Sequence, residues 1–172
     1  MDMNELTYKS PIELKTKFID AYLRIWNDKK NLPFLSFTGI EFSRTQVEAW
    51  VLSLEGASPI QYLYVEDEDQ IIGVAVMSID PLSGIEILGL GIDEGSKRKG
   101  VATYLLNEIT DISRNSGFKS IDAKVFSDNK PMLLFLLKND FVIVDIEHGK
   151  RYDGMAIVRL KKSGQSYLVC AT

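Results

Sequence analysis

Residues 88–103, Leu-Gly-Leu-Gly-Ile-Asp-Glu-Gly-Ser-Lys-Arg-Lys-Gly-Val-Ala-Thr, constrain this chain more than any other stretch. They read as an apolar strand, a short turn, a basic glycine loop and the start of a helix. The first backbone N–H groups of a helix have no partner within it, and the helix dipole adds partial positive charge there. A glycine at that point lets a phosphate approach the main chain, and Lys97, Arg98 and Lys99 add a favourable field. Segment 97–103 is therefore expected to hold a phosphorylated ligand. Beyond it, Val101, Leu105, Leu106, Ile109 and Ile112 recur at helical spacing. Gly117 supplies a left-handed stop, and residues 118–125 alternate like a strand.

Two known loops share the order strand, loop, helix, strand, and spacing excludes both. A dinucleotide fingerprint needs G-x-G-x-x-G directly after its strand, whereas eight residues separate Gly91 from Gly100. A nucleotide P-loop needs G-x-x-x-x-G-K-[ST]; Gly95 and Gly100 stand at nearly that distance, but Val101 replaces the lysine. What remains, Lys97-Arg-Lys-Gly-Val-Ala102, resembles the [Q/R]-x-x-G-x-[G/A] loop of the GNAT superfamily of N-acetyltransferases, which cradles the pyrophosphate of acetyl-coenzyme A (acetyl-CoA). Lys97 departs from that pattern, placing an ammonium where the family has Gln or Arg.

The resemblance continues in family order over most of the chain, from about Leu6 to Lys161. Residues 71–77 resemble the family's third strand, with a glycine among apolar residues, and residues 83–93 its fourth. Residues 129–141 resemble the late helix and its ending, N-x-x-A-x-x-[LF]-Y-x-x-x-G-F, with Asn129, Phe135 and Phe141 in place. Leu136 stands where that pattern has tyrosine, and Asp140 where it has glycine.

The resemblance implies an α+β fold, a three-layer α/β/α sandwich whose mixed, mostly antiparallel sheet splays between its fourth and fifth strands. It implies acetyl transfer from acetyl-CoA, as co-substrate, to a primary amine by direct attack. By resemblance, Leu90, Gly91 and Ile92 pair with the pantetheine. Lys97, Arg98, Lys99, Gly100, Val101, Ala102 and Thr103 hold the pyrophosphate, and Asn129 contacts acyl-CoA near the pantetheine. Strand glycines also mark close packing, so Gly89 and Gly91 have a plain reading as contacts with a helix. Glu86 is the only ionisable side chain between Gly84 and Ile92. It lies fourteen residues before Gly100, the spacing at which histone-type members carry their general base. A base is needed because a protonated amine has no lone pair with which to attack a thioester. No general acid is evident, since Leu136 cannot donate a proton and position in the chain places neither Tyr104 nor Tyr152 at the sulfur. A non-catalytic acyl-CoA-binding or regulatory module of the same fold is thus the alternative.

At 172 residues the chain suits one domain, expected over residues 1–162 with a tail at 163–172. No apolar run approaches the about 18 residues of a membrane span, and the acidic, polar opening resembles no signal peptide. The lone Cys170 gives no internal disulfide and no metal cluster. These features point to the cytoplasm. A net charge of -4 disfavours a nucleic-acid surface. The expected partner is an amine acceptor, with homodimers frequent in the family, and no metal is expected.

Elsewhere, residues 5–8 read as a short strand and residues 11–27 as a helix capped by Ser10, with Pro11 in its first turn. Residues 31–42 read as an aromatic loop, and Ser43 caps a second helix through Leu54. Residues 60–65 and 70–79 form a hairpin about Glu66-Asp-Glu-Asp69, a solvated turn rather than a metal site. The apolar run 132–137 predicts deep burial of its helix, and residues 155–160 are the last strand. His148 is predicted solvent-exposed in the loop before that strand. Acceptor walls are expected from residues 22–42 and 147–153.

Overall fold

Among the described residues six strands form: β1 (Ile60–Asp67), β2 (Gln70–Asp80), β3 (Gly84–Ile92), β4 (Ser120–Phe126), β5 (Val142–Glu147) and β6 (Ile157–Ser163). Five α-helices accompany them: α1 (Lys15–Trp26), α2 (Leu32–Leu35), α3 (Arg44–Leu52), α4 (Val101–Asn115) and α5 (Lys130–Lys138). The computed structural model describes residues 15–53 and 59–163. Residues 5–8, the Ser10 cap, Leu54 and Cys170 lie outside them. The family's fourth and fifth strands are therefore β3 and β4.

The strands make one sheet in the order β1-β2-β3-β4-β6-β5. Every neighbouring pair is antiparallel except β3 and β4. A parallel pair cannot be closed by a tight turn, and α4 is the crossover that joins this one. Helices cover both faces. Phe18, Tyr22, Ile25 and Trp26 of α1 and Val47 and Val51 of α3 pack on Val74 and Val76 of β2. On the other face Leu105, Leu106 and Ile109 of α4 and Leu136 of α5 pack on Ala75, Met77, Ile85 and Ile121. β2 is buried on both faces from Ile71 to Met77, which explains its unbroken apolar run. The three-layer sandwich expected from the sequence is what forms.

Local signals work where they are read from neighbours in the chain. Ser43 and Gln46 make a reciprocal capping box at the start of α3. Glu68 and Asp69 both take positive φ, the geometry of a tight two-residue hairpin turn. Gly117, at φ 70°, follows the end of α4 as expected. Other readings are corrected. The loop at residues 31–42 contains the one-turn α2, whose first turn accommodates Pro33 because an N–H there has no helical partner. The run 132–137 is not deeply buried: only Leu136 is, while Leu134 and Leu137 are 57% and 42% exposed. α5 packs along one side only, and its outer side is apolar without being covered. β4 begins at Ser120 rather than residue 118, and β6 runs on to Ser163, two strand neighbours of which hold it in register.

Gly89 and Gly91 have a packing cause. A Cβ on Gly91 would lie 2.7 Å from both Ile25 Cγ2 and Trp26 Cζ3, and one on Gly89 would lie 3.1 Å from the Trp26 ring. The missing side chains let α1 sit directly on β3. Gly91→Ala is expected to lower stability by about 1–3 kcal/mol, read as a lower urea midpoint. An unchanged midpoint would show that α1 has room to move.

Candidate active site

The β3–β4 ladder is three residues long: Ile85 faces Ile121, Glu86 faces Asp122, and Ile87 faces Ala123. There it stops. On the β2 side Met77 pairs with Ile87 and Val76 with Gly89, so Leu88 is an extra residue that bulges out of β3. From Leu88 onward β3 and β4 make no further ladder pairs, and the sheet splays there.

Two small chambers occupy the opening. One, about 60 Å³, is lined by Leu88, Gly89, Leu90, Val125, Asn129 and Leu136 among others. The other, about 150 Å³, is lined by Phe34, Phe37, Glu86, Lys124, Phe126 and Ile157 among others. Ile87, Leu88 and Lys124 line both. A third, open cleft of about 370 Å³ continues from Glu86 and Lys124 to Asp122, Arg159 and Lys161.

The charges at the mouth follow from register. Glu86 directly faces Asp122, and like charges opposed across a ladder repel. Each carboxylate takes its own lysine: Lys124 Nζ lies 2.7 Å from Glu86 Oε1, and Lys161 Nζ lies 3.4 Å from Asp122 Oδ1. Lys124 in turn faces Arg159 of β6, which reaches Asp145 at 3.6 Å and Glu147 at 3.8 Å. The expected base thus projects into the opening, paired with a partially exposed ammonium.

The basic loop stands beyond the end of β3. Gly100 precedes α4 at φ 86°, and no side chain caps that helix. A Cβ at Gly100 would meet nothing within 4 Å, so open space lies before the helix start. Such an uncapped N-terminus suits a phosphate. Arg98 also adopts positive φ, uncommon for a side chain of its size. Arg98 and Lys99 are exposed and make no ion pair among the described residues. Lys97 differs: its ammonium lies 2.6 Å from Glu94 Oε2. Glu94 also bonds Lys30, and those two hydrogen bonds hold its carboxyl down at about 2. Val101 is buried, whereas Ala102 is half-buried and Thr103 exposed.

Asn129 caps α5 by accepting from Met132 N at 3.3 Å, and it still lines the smaller chamber. Of the β3 residues, Leu90 lines that chamber and Gly91 faces α1. The carbonyl of Ile92 accepts from Asn31 Nδ2 at 2.9 Å. Leu136, in the tyrosine position, is buried against the same chamber. Tyr104 and Tyr152 line neither chamber, and His148 is exposed as expected.

Sequence reading missed Lys124 and Phe126, whereas Phe34, Phe37 and Arg151 fall within the two segments expected to wall the acceptor. The first could have been found as a polar position of an alternating strand, but its partner depends on parallel register. Arg151 is buried and ties three loops together. It donates to Pro33 O at 2.9 Å, to Asp128 at 2.6 and 3.1 Å, and to both Asp153 oxygens at 2.8 Å. Its guanidinium also sits 4.9 Å from the centre of the Phe126 ring. Beside it, Tyr152 N donates to Phe37 O at 3.0 Å. The aromatic wall of the larger chamber is thereby held to the β5–β6 loop.

Residues 20–141 match the model of the Acetyltransferase (GNAT) family. A Bacillus subtilis (strain 168) protein provisionally named phosphinothricin acetyltransferase YwnH is 41% identical over 69 residues, 36% of this chain and 42% of that protein. The match thus spans less than half the length of that relative. A solved structure provisionally titled a phosphinothricin N-acetyltransferase superposes with a TM-score of 0.73 at 20% identity, covering 88% of this chain and 95% of the other. An N-acetyltransferase from Staphylococcus aureus Mu50 gives 0.74 at 14% identity, covering 94% and 98%. Identities this low establish a common fold.

The Arg151 clamp predicts a pH dependence. Its hydrogen bonds are the main cause that lowers the Asp153 carboxyl from 3.8 to about 2. The unfolded chain therefore takes up the proton first as pH falls, and the clamp's stability, complete above about pH 4, is lost toward about pH 2. The thermal midpoint should fall between about pH 5 and about pH 2.5, and Asp153→Asn should reduce that fall. An equal fall in the variant would remove Asp153 as a contributor.

Proposed function

The chain belongs to the acetyltransferase (GNAT) family, and on that premise we propose that it moves an acetyl group from acetyl-CoA to a primary amine. The observation that carries the reading is the splay, with an open, uncapped helix start at Gly100 on one side and Glu86 at its mouth. Backbone N–H groups of Val101, Ala102 and Thr103, with Arg98 and Lys99, would hold the pyrophosphate. The edge of β3 that β4 leaves beyond Ile87 would take the pantetheine at Leu90, Gly91 and Ile92, beside Asn129, with the Ile92 carbonyl already held by Asn31. Glu86 would accept the proton of the acceptor's ammonium, directly or through water, leaving a lone pair to attack the thioester carbonyl.

For the acceptor, two of the similar proteins carry phosphinothricin in their names. Phosphinothricin is an amino acid with a second, phosphinate acid. An acceptor of that type suits a chamber where an amine meets Glu86 and an anionic group finds Arg159 and Lys161 in the adjoining cleft. Leu136, apolar and buried in the groove, favours a second reading: a module that binds acyl-CoA without turnover.

Calorimetric titration should give micromolar acetyl-CoA affinity. Gly100→Glu, which strains a positive φ and sets a carboxylate against the phosphates, should weaken it by about tenfold or more. With phosphinothricin and a panel of amines, release of free thiol distinguishes an enzyme from a binding module. Glu86→Gln should lower kcat by about 10²–10⁴-fold while leaving acetyl-CoA binding intact. Full turnover by that variant would sink the role of Glu86.

A further inference from the structure

Among the described residues lining the two chambers, Lys124 is the only cation, and no tyrosine, cysteine or histidine joins it. It is also the one polar side chain among them that lines both chambers. It borders the chamber of Leu90, Asn129 and Leu136 as well as the one containing Glu86. Its ammonium also bonds Glu86 at 2.7 Å.

The geometry points to Lys124 as the proton donor to the departing thiolate, with Glu86 as its proton partner. This inference rests on the acetyl-transfer reading. Glu86 removes one proton from the acceptor's ammonium and passes it to solvent. The freed amine forms its bond to the thioester carbonyl carbon. As the C–S bond breaks, its electron pair goes to sulfur, which takes a proton from the Lys124 ammonium. The surplus proton on the new amide nitrogen returns through Glu86, across the bond between the two side chains, to the neutral amine of Lys124. Ammonium and thioester become amide, thiol and one released proton, and both side chains regain their starting states. The fold thereby meets the need for an acid from β4, where the helix carries Leu136 in place of tyrosine.

A lysine that merely neutralised Glu86 would look the same at rest, because Glu86 faces Asp122 and needs a counter-charge. Arginine separates the two roles. A guanidinium keeps its charge and its bond to a carboxylate but does not give up its proton in proteins. With an amine that the wild type acetylates, Lys124→Arg and Lys124→Met should each lower kcat by about 100-fold or more. Both KM values should change by less than about threefold. Calorimetric titration with acetyl-CoA checks that each variant folds; Lys124 is 44% exposed on its side chain, so neither change empties a core position. Restoration of kcat by arginine, wild-type kcat in the methionine variant, or a loss confined to KM overturns the donor role while leaving acetyl transfer in place. A wild type that binds acetyl-CoA but acetylates no amine overturns the acetyl-transfer reading itself, and the donor role with it.

Discussion

β3 is held on one side over its whole length and on the other for only three residues, and the shape of the molecule hangs on that inequality. β2 pairs with it from Gly84 to Ile92, whereas β4 leaves it after Ile87. The bulge at Leu88 alone would only interrupt a ladder. Past the bulge α1 packs directly on β3, its Ile25 and Trp26 filling the space left by the absent side chains of Gly89 and Gly91. β4 is equally committed elsewhere, paired with β6 from Ser120 to Phe126. The sheet is two well-made halves joined at three residues and by α4, whose buried face belongs to the core shared by both. A backbone edge inside a protein needs a partner. Beyond Leu88 β4 supplies no such partner to β3, and that edge is where the pantetheine is proposed to pair.

The same splay organises charge. Among the described residues α1 and α3 cover β1 and β2, and the face of β4 and β6 that carries Asp122, Lys124, Arg159 and Lys161 opens into the cleft. Alternation places these residues on one side of their strands, and register then sets Glu86 against Asp122 and Lys124 against Arg159. Asp122 is relieved by Lys161 and Arg159 by Asp145, each its direct cross-strand partner, while Lys124 reaches Glu86 diagonally. The result is a mouth in which carboxylates and cations are interleaved and part-exposed, so their mutual attractions are screened and exchangeable. Arg151 lies in a different regime. Its side chain is only 4% exposed and both partner carboxylates stay wet, so it works as a fastener among loops rather than as a contact for a ligand.

Elements defined by neighbours in the chain were legible in the sequence. The α4 stripe, its Gly117 stop, the Ser43 cap and the hairpin at Glu68-Asp69 all depend on residues a few positions apart. The loop at Gly100 was legible for the same reason, since a positive-φ glycine and a helix start are local facts. α5 was misread because six apolar residues in a row carry no periodicity to say which side packs. Only Leu136 is fully buried, with Met132, Leu133 and Phe135 part-buried beside it, and nothing in the run marks that side out. The strand glycines allowed two causes, and the space at each is filled by α1, a helix more than sixty residues earlier in the chain. Lys124 showed only as a polar position of an alternating strand, because its meaning lies in its distance to Glu86, and parallel register across a helical crossover leaves no mark in either strand.

The departure at Lys97 has a physical compensation. Its ammonium is bound to Glu94, which also holds Lys30, so two cations and one carboxylate form a group of net charge +1 behind the loop. That group fixes the loop to the segment following α1, while Arg24 fixes Asp93 at 2.9 Å. Lys97 is thereby engaged in shaping the loop. The cations left free to face the open space at Gly100 are Arg98 and Lys99, together with the dipole of a helix fifteen residues long. Arg98 occupies a positive φ, so its side chain leaves the backbone in a direction that an ordinary helical or extended residue would not give it. A guanidinium there would supply, one position along, the forked donor that the family pattern places first. For the proposed pyrophosphate the exchange would be close to even: the point charge is paired with Glu94, while the exposed Arg98 keeps its forked donor unpaired among the described residues.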